Sequence, residues 1–354
     1  MRALFECELE YLPSPHLMQI YAGFFELQKK GVVNLTIRRK SGNPNVPIIT
    51  VIVNKKYQVI YDTLDGLTWI AGTVKDNLIH FKNTYNVDFY FKRSFHKQLL
   101  DYTPVGCKVL PLGLNYNVQP DKNLLSLNET IKDKIKYVMK SSQYLTWITN
   151  KRFFYTSDFE YYQTQYKQDR ILFLTRLWNP IDAKSDYAKR HREQINAMRV
   201  ECIEACQKEY KGIFTGGLIK DDFADKHYRS FIIPNSLTDK SRYLQAVKEH
   251  SICIATTGLH DSIGWKLGEY VAASRAILSE PLKYELPGDF AKGKNYFEFE
   301  NADQLLQQIS ILLENRALVI QTMQNNYDYY NNYVKPEKLV LNTLFSVINT
   351  CEKE

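Results

Sequence analysis

The apolar positions of this chain fall into short strand-like runs and longer stretches with helical spacing. MRALFECEL reads as a strand. Pro13 and Pro15 mark a turn, and His16 to Lys30 then sets Leu17, Ile20, Tyr21, Phe24, Phe25 and Leu27 at helical intervals. Gly31 ends that helix, and VVNLTIR, VPIITVIV, YQVIYD, VDFYFK and CKVLPLG follow as strands. Strands punctuated by helices or by Gly- and Pro-bearing loops predict an open α/β sheet.

Residues 121–168 break the pattern. They are polar, rich in Lys, Asn, Gln and Tyr, and helical in part (Ile131 to Tyr144), which suits a connecting or inserted segment. A second α/β unit starts at the strand RILFLTRL. A long helix over Ala188 to Tyr210, the strand GIFTGG, a helix over Ser241 to His250 and the strand SICIA come next. RAILSE and NYFEFE are further strands, and Ala302 to Asn315 carries a stripe of Leu305, Leu306, Ile309, Leu312 and Leu313. An aromatic, Asn-rich helix covers Arg316 to Tyr333, and Pro336 opens the last one. The expected division is a first domain over 1–120, a connecting segment over 121–168, a second domain over 169–325 and terminal helices over 326–354.

Composition narrows the class. A chain of 354 residues exceeds what one compact core usually holds, and 44% hydrophobic with 24% charged residues is ordinary for a soluble globular protein. No apolar run approaches the 18 or so residues of a spanning helix, and MRALFECELEY has acids inside its apolar run, unlike a signal peptide. A cytoplasmic protein with reduced, structural thiols is the expectation; Cys202 and Cys206 are too isolated to make a zinc site. The net charge of +7 suits a polyanion, an anionic membrane surface or a phosphorylated substrate, but the basic residues are too dispersed for a nucleic-acid partner.

Candidate chemistry gathers after strands, where ligands of α/β sheets sit. After SICIA comes GLHDSIGWKLGEYVAASRAILS, with a helix expected to open near Asp261 or Ser262. Gly258 and Gly264 let backbone approach a ligand, the helix N-terminus offers donors to a phosphate, and Lys266 stands one turn in. On a helix starting there, Asp261 and Glu269 would face nearly the same side, about 80° apart. The same residues also suit an ordinary N-cap with a solvent-facing Glu269. Arg192, Asn196 and Arg199 share a helix face, fit for a phosphate grip or for solvent. In the first half, Asp62 and Asp65 follow one strand, and Lys92, Arg93 and His96 follow another. Asp62 or His96 would serve as a base toward a hydroxyl, although post-strand loops of this kind are commonly solvated turns. No P-loop, Gly-x-Gly-x-x-Gly, Gly-x-Ser-x-Gly or His-Glu-x-x-His motif is present.

The stretch after SICIA resembles the nucleotide-sugar site of retaining family 4 glycosyltransferases of the GT-B fold. That family carries an acid, a glycine three residues on, a Glu at the eighth position and then an EAMA-G-PVV stretch. Asp261, Gly264, Glu269 and EYVAASRAIL match it, with Asp in place of the first Glu and Ser274 in place of the last glycine. RILFLTRLWNP resembles the family strand that ends in Gly-Arg-Leu; Arg176 is kept, Thr175 replaces the glycine, and Ile181 stands where the family has lysine, with Lys184 nearby. GKNYFEFENADQLLQQISILL and VLPLGLN resemble the ends of the family's two domains.

The resemblance implies two Rossmann-like domains facing each other across a cleft, with a C-terminal helix crossing back to the first. It implies transfer of a sugar from a nucleoside-diphosphate-sugar to a hydroxyl of a glycan, as in bacterial surface polysaccharide biosynthesis. The diphosphate would meet Arg176, Lys184, Gly258, Ser262, Gly264 and Lys266, and the ribose Glu269. Asp261 and His260 would lie near the transferred sugar, and Lys92, Arg93 and Asn115 on the acceptor side. No cofactor and no metal is expected. The acceptor would be a glycan or lipid-linked glycan, reached by peripheral contact with the inner face of the membrane. A nucleotide-sugar epimerase of the same fold and a non-catalytic module for glycans or anionic surfaces remain the alternatives.

Overall fold

The computed structural model describes residues 3–127, 130–142, 152–162 and 168–351. Residues 143–151 and 163–167, within the segment expected to be inserted, lie outside them. The chain divides into two compact units: 1–158 with 284–288 and 331–354, and 159–283 with 289–330.

The first unit holds a six-stranded sheet in the order β2-β1-β3-β4-β5-β6, made of β1 Phe5–Tyr11, β2 Val33–Arg39, β3 Ile48–Val53, β4 Tyr57–Asp62, β5 Phe89–Lys92 and β6 Lys108–Pro111. It is a largely parallel α/β sheet with one antiparallel strand. β1 runs parallel to β2, and β4, β5 and β6 are mutually parallel, but β3 is antiparallel to both β1 and β4. The reason is local. Asn54 and Lys55, at φ 52° and 56°, turn the chain directly from β3 into β4. Two successive left-handed residues match the twist of a hairpin, and a turn this short can only reverse the strand.

The helix Met18–Lys29 covers one face of this sheet, beside the terminal helix Pro336–Cys351. Gly23 lets the two helices touch: a Cβ there would lie 2.2 Å from the carbonyl oxygen of Pro336. Leu339, Val340, Leu344 and Val347 of the terminal helix thus complete the first unit's core. The opposite face packs on the helix Val74–Thr84, which opens with a capping box between Thr73 and Asp76.

The second unit holds a fully parallel five-stranded sheet in the order β11-β10-β9-β7-β8: β7 Ile171–Thr175, β8 Phe214–Leu218, β9 Ile252–Ala255, β10 Ala276–Ser279 and β11 Tyr296–Glu298. Its three central strands, β7, β9 and β10, are near-continuous apolar runs, as burial on both faces requires. The helices Asp186–Glu209 and Ala302–Glu314 pack on one face, where Cys202 and Cys206 are buried free thiols with their pKa values pushed up by that burial. The chain steps from β7 to β8 on one side and later to β9 on the other. The topological switch point therefore lies between the C-terminal ends of β7 and β9.

Candidate nucleotide site of the second unit and polar cluster of the first

Arg199 spans that switch point. It projects from the helix Asp186–Glu209 and is buried. Its guanidinium donates to the Arg176 carbonyl after β7 (2.6 Å), and to Thr256 Oγ1 (3.1 Å) and the Thr257 carbonyl (2.9 Å) after β9. Glu280, just beyond β10, braces the same loop by accepting from the Thr257 N–H at 2.6 Å. Burial holds Arg199 down to about 10, against the opposing pull of Glu280.

The rest of the Arg192–Asn196–Arg199 face also binds loops. Arg192 donates to the Asn179 carbonyl at 2.7 Å, and Asn196 brackets Trp178 through the N–H and carbonyl of its backbone. The stripe is a clamp on the turn after β7 and, with those bonds made, is not an open phosphate grip.

The helix after β9 begins later than expected. It covers Trp265–Ala272, with Gly264 at its N-cap and no side chain capping it. Asp261 and Ser262 are outside it: Leu259–Asp261 form a separate single turn in which His260 and Asp261 take φ of 59° and 55°. Consecutive left-handed non-glycine residues cost about 1–2 kcal/mol each. The expected common face of Asp261 and Glu269 is thereby lost, because a helical angle between them needs one continuous helix. Asp261 instead stands 3.6 Å from His191 Nε2. Gly258 closes the loop by donating its N–H to the Ser262 carbonyl at 2.9 Å, and Ser262 is buried. Around Gly264 the space for a Cβ is open.

Lys266 lies in that first turn. With Thr256, Thr257, Gly264 and Leu267 it lines a small cavity at the ends of β9 and β10. Burial, then the neighbouring charge of Arg199, with smaller contributions from Lys240 and Arg176, brings its ammonium down to about 7, while Glu269 pulls the other way. Glu269 itself is buried and accepts from Lys240 Nζ, whose ammonium also sits 4.7 Å from the Tyr243 ring. Arg176 is exposed and lies over the Trp178 ring, and Lys184 is exposed in the following turn. The arrangement gathers cations around a helix N-terminus that no side chain caps, chemistry that suits an anion. Lys240, Glu280 and the two threonines were missed in the sequence; Thr256, Thr257 and Glu280 carried one signal, their place directly after a strand.

The residues expected on the acceptor side fold into a second cluster. Asp62 and Lys92 are registered partners at the ends of β4 and β5, and both are fully buried. The Asp62 carboxylate accepts from Leu64 N–H (2.8 Å), Trp69 Nε1 (2.8 Å), Tyr90 OH (2.5 Å) and Lys92 Nζ (3.2 Å). Lys92 also donates to the Leu64 carbonyl at 2.6 Å. A general base must reach its substrate's proton. Asp62, enclosed by four donors, ties the C-terminal ends of β4 and β5 together instead, and Lys92 is its structural partner. His96 is exposed and its Nδ1 accepts from the Gln98 N–H at 3.2 Å, capping the short turn Lys97–Tyr102. Arg93 pairs with Asp65 and donates to Asn115 Oδ1 at 2.7 Å. Asn115 reaches back to the His16 carbonyl at 3.4 Å. His16, half-buried and near the Arg93 charge, is held down to about 4 by burial first. This histidine too was missed in the sequence, because nothing near it in the chain marks it.

No protein-family model matches the chain, and no curated protein matches it in sequence. Several solved structures resemble it at low sequence identity. One is HepE (Alr3699) of Anabaena in complex with UDP, at 10% identity and a TM-score of 0.45, covering 99% of this chain and 100% of that one. WaaG, a glycosyltransferase involved in lipopolysaccharide biosynthesis, matches at 11% identity and 0.43 over 95% of this chain and 97% of its own. The C-terminal domain of the group 1 glycosyl transferase LpcC of Francisella tularensis matches at 14% and 0.36, over 50% of this chain and 95% of that domain.

Proposed function

We propose that the chain is a glycosyltransferase whose second unit binds a nucleoside-diphosphate-sugar. The observation that carries this reading is the set of cations at the switch point: Lys266, in the uncapped first turn of the helix Trp265–Ala272, close to Arg199, Lys240 and Arg176. Four cations (Arg176, Arg199, Lys240 and Lys266) face two carboxylates (Glu269 and Glu280) there, and a diphosphate would supply the missing negative charge. Arg176, Lys266 and the first-turn N–H groups would stabilise the leaving diphosphate, the electrostatic work a divalent ion does in other transferases. Glu269, steadied by Lys240, suits the ribose hydroxyls. Asp261 and His260, on the strained turn beside the helix, suit the transferred sugar, and Lys184 the outer phosphate. Arg93 and Asn115 would orient an acceptor hydroxyl of a glycan, in our reading a lipid-linked precursor of a surface polysaccharide.

Calorimetry with nucleoside diphosphates tests the donor site. Wild type should bind at least one of them, and Lys266→Met and Arg176→Ala should each weaken binding about tenfold, the loss of one charge-assisted contact. Failure of every nucleoside diphosphate to bind or to raise the melting temperature would sink the reading. Turnover of the donor only when a glycan is added, and undiminished in chelator, separates metal-independent transfer from epimerisation.

A further inference from the structure

The helix Ile131–Ser141 (IKDKIKYVMKS) of the first unit has no buried residue. Its large apolar side chains stand in solvent: Ile131 is 78% exposed, Ile135 55%, Val138 43% and Met139 38%. At the angular step of an α-helix these four fall within one arc of about 100°. Lys132 and Lys134 border that arc on its two sides, and Lys136 and Lys140 add two more cations against the single acid Asp133. Tyr137 points about 150° away from the arc's centre. There it accepts from the Leu124 N–H at 2.9 Å, donates to the Lys122 carbonyl at 3.2 Å and packs on the Phe153 ring. The helix is therefore pinned to the unit by one side and presents an apolar stripe rimmed with lysines on the other.

We propose that this helix docks the protein on an anionic lipid bilayer, lying in the interface plane. The apolar arc would enter the boundary between headgroups and acyl chains, while the lysine stems reach outward to the phosphates. The charge decides between occupants. A second copy of the chain, with a net charge of +7 and the same lysine-rimmed face, would bring cations against cations, whereas an anionic surface complements them. Among the described residues no helix is long and apolar enough to cross a membrane, so attachment by this helix would be peripheral. The proposal gives a place in the fold to the peripheral membrane contact that the resemblance implies, and its test, which reads partitioning and not turnover, can fail without the transferase reading failing.

The experiment is co-sedimentation of the full chain with vesicles, either pure phosphatidylcholine or about a third phosphatidylglycerol. Wild type should partition onto the anionic vesicles, weakly or not at all onto the neutral ones, and less at high salt. Ile135→Asp should lower the partition coefficient about tenfold by removing one inserted side chain and adding a like charge to the surface. Lys132→Ser/Lys134→Ser/Lys136→Ser should remove the salt-sensitive part, and it decides the matter if Ile135→Asp fails to fold by circular dichroism. Absence of wild-type partitioning at low salt, or partitioning that neither variant changes, would overturn the proposal. So would a wild-type dimer that Ile135→Asp converts to monomer, since the face would then belong to a second copy.

Discussion

Arg199 donates to the carbonyl of Thr257 at 2.9 Å while its other nitrogens hold Thr256 and Arg176, so one buried side chain joins the loops after β7 and β9. Lysine cannot make three divergent bonds. Arg199→Lys should therefore cost about 2 kcal/mol in denaturant unfolding and weaken nucleoside-diphosphate binding by loosening both loops. A loss below about 0.5 kcal/mol would mean that the loops hold themselves.

Lys266 makes a prediction in pH. Its pKa lies at about 7, below its ordinary 10.5, so between these values the unfolded chain binds the proton and the folded chain does not. Its penalty on stability is full below pH 7 and is relieved as pH rises toward 10.5. A bound diphosphate should raise the pKa again. Binding at pH 8 should then take up as much as about one proton, and affinity should fall as pH rises from 7 to 9. Calorimetry in buffers of different ionisation heat measures the uptake. Lys266→Met should abolish it, and an equal uptake in that variant would assign the proton elsewhere.

Ser274 follows the helix Trp265–Ala272 at φ 55°, with its N–H bonded to the Val271 carbonyl at 2.9 Å and the Arg275 N–H to the Tyr270 carbonyl at 3.0 Å. This is the left-handed helix terminus that usually takes glycine. The serine hydroxyl is buried there without a hydrogen-bond partner. Ser274→Gly should stabilise the protein by about 0.5–1 kcal/mol, the left-handed penalty less the added freedom of the unfolded chain. A lower melting temperature would show that the hydroxyl contributes packing that outweighs both.

Asp62 and Lys92 form a buried pair, so removing one partner strands the other. Asp62→Asn should destabilise by about 3–5 kcal/mol, and adding Lys92→Met should recover part of that loss. A catalytic Asp62 would behave differently: Asp62→Asn would abolish turnover at unchanged stability.

Much of the element order was legible before the fold. Ile171–Thr175, Ile252–Ala255 and Ala302–Glu314 lie within a residue or two of where apolar spacing places them. Local chemistry misled at Asp261 and Ser262. Both are good N-cap residues, but the chain spends them on a strained turn and starts the helix at Trp265. The hairpin from β3 to β4 was not legible for a related reason: Asn54 and Lys55 lack the glycine that usually announces such a turn, yet both take the left-handed conformation.

The sequence by itself determined the alternation of strands and helices, the two α/β units and the glycine- and lysine-bearing loop after SICIA, because periodicity and turn residues act over a few neighbours. Only the tertiary structure decided what the charged residues do. Lys92 ends strand β5, and Lys266 lies in the helix that follows β9. Folding paired the first with Asp62 in the core and set the second among cations at an uncapped helix end. A side chain's charge state and partners depend on burial and on neighbours distant in the chain, and neither is local in sequence.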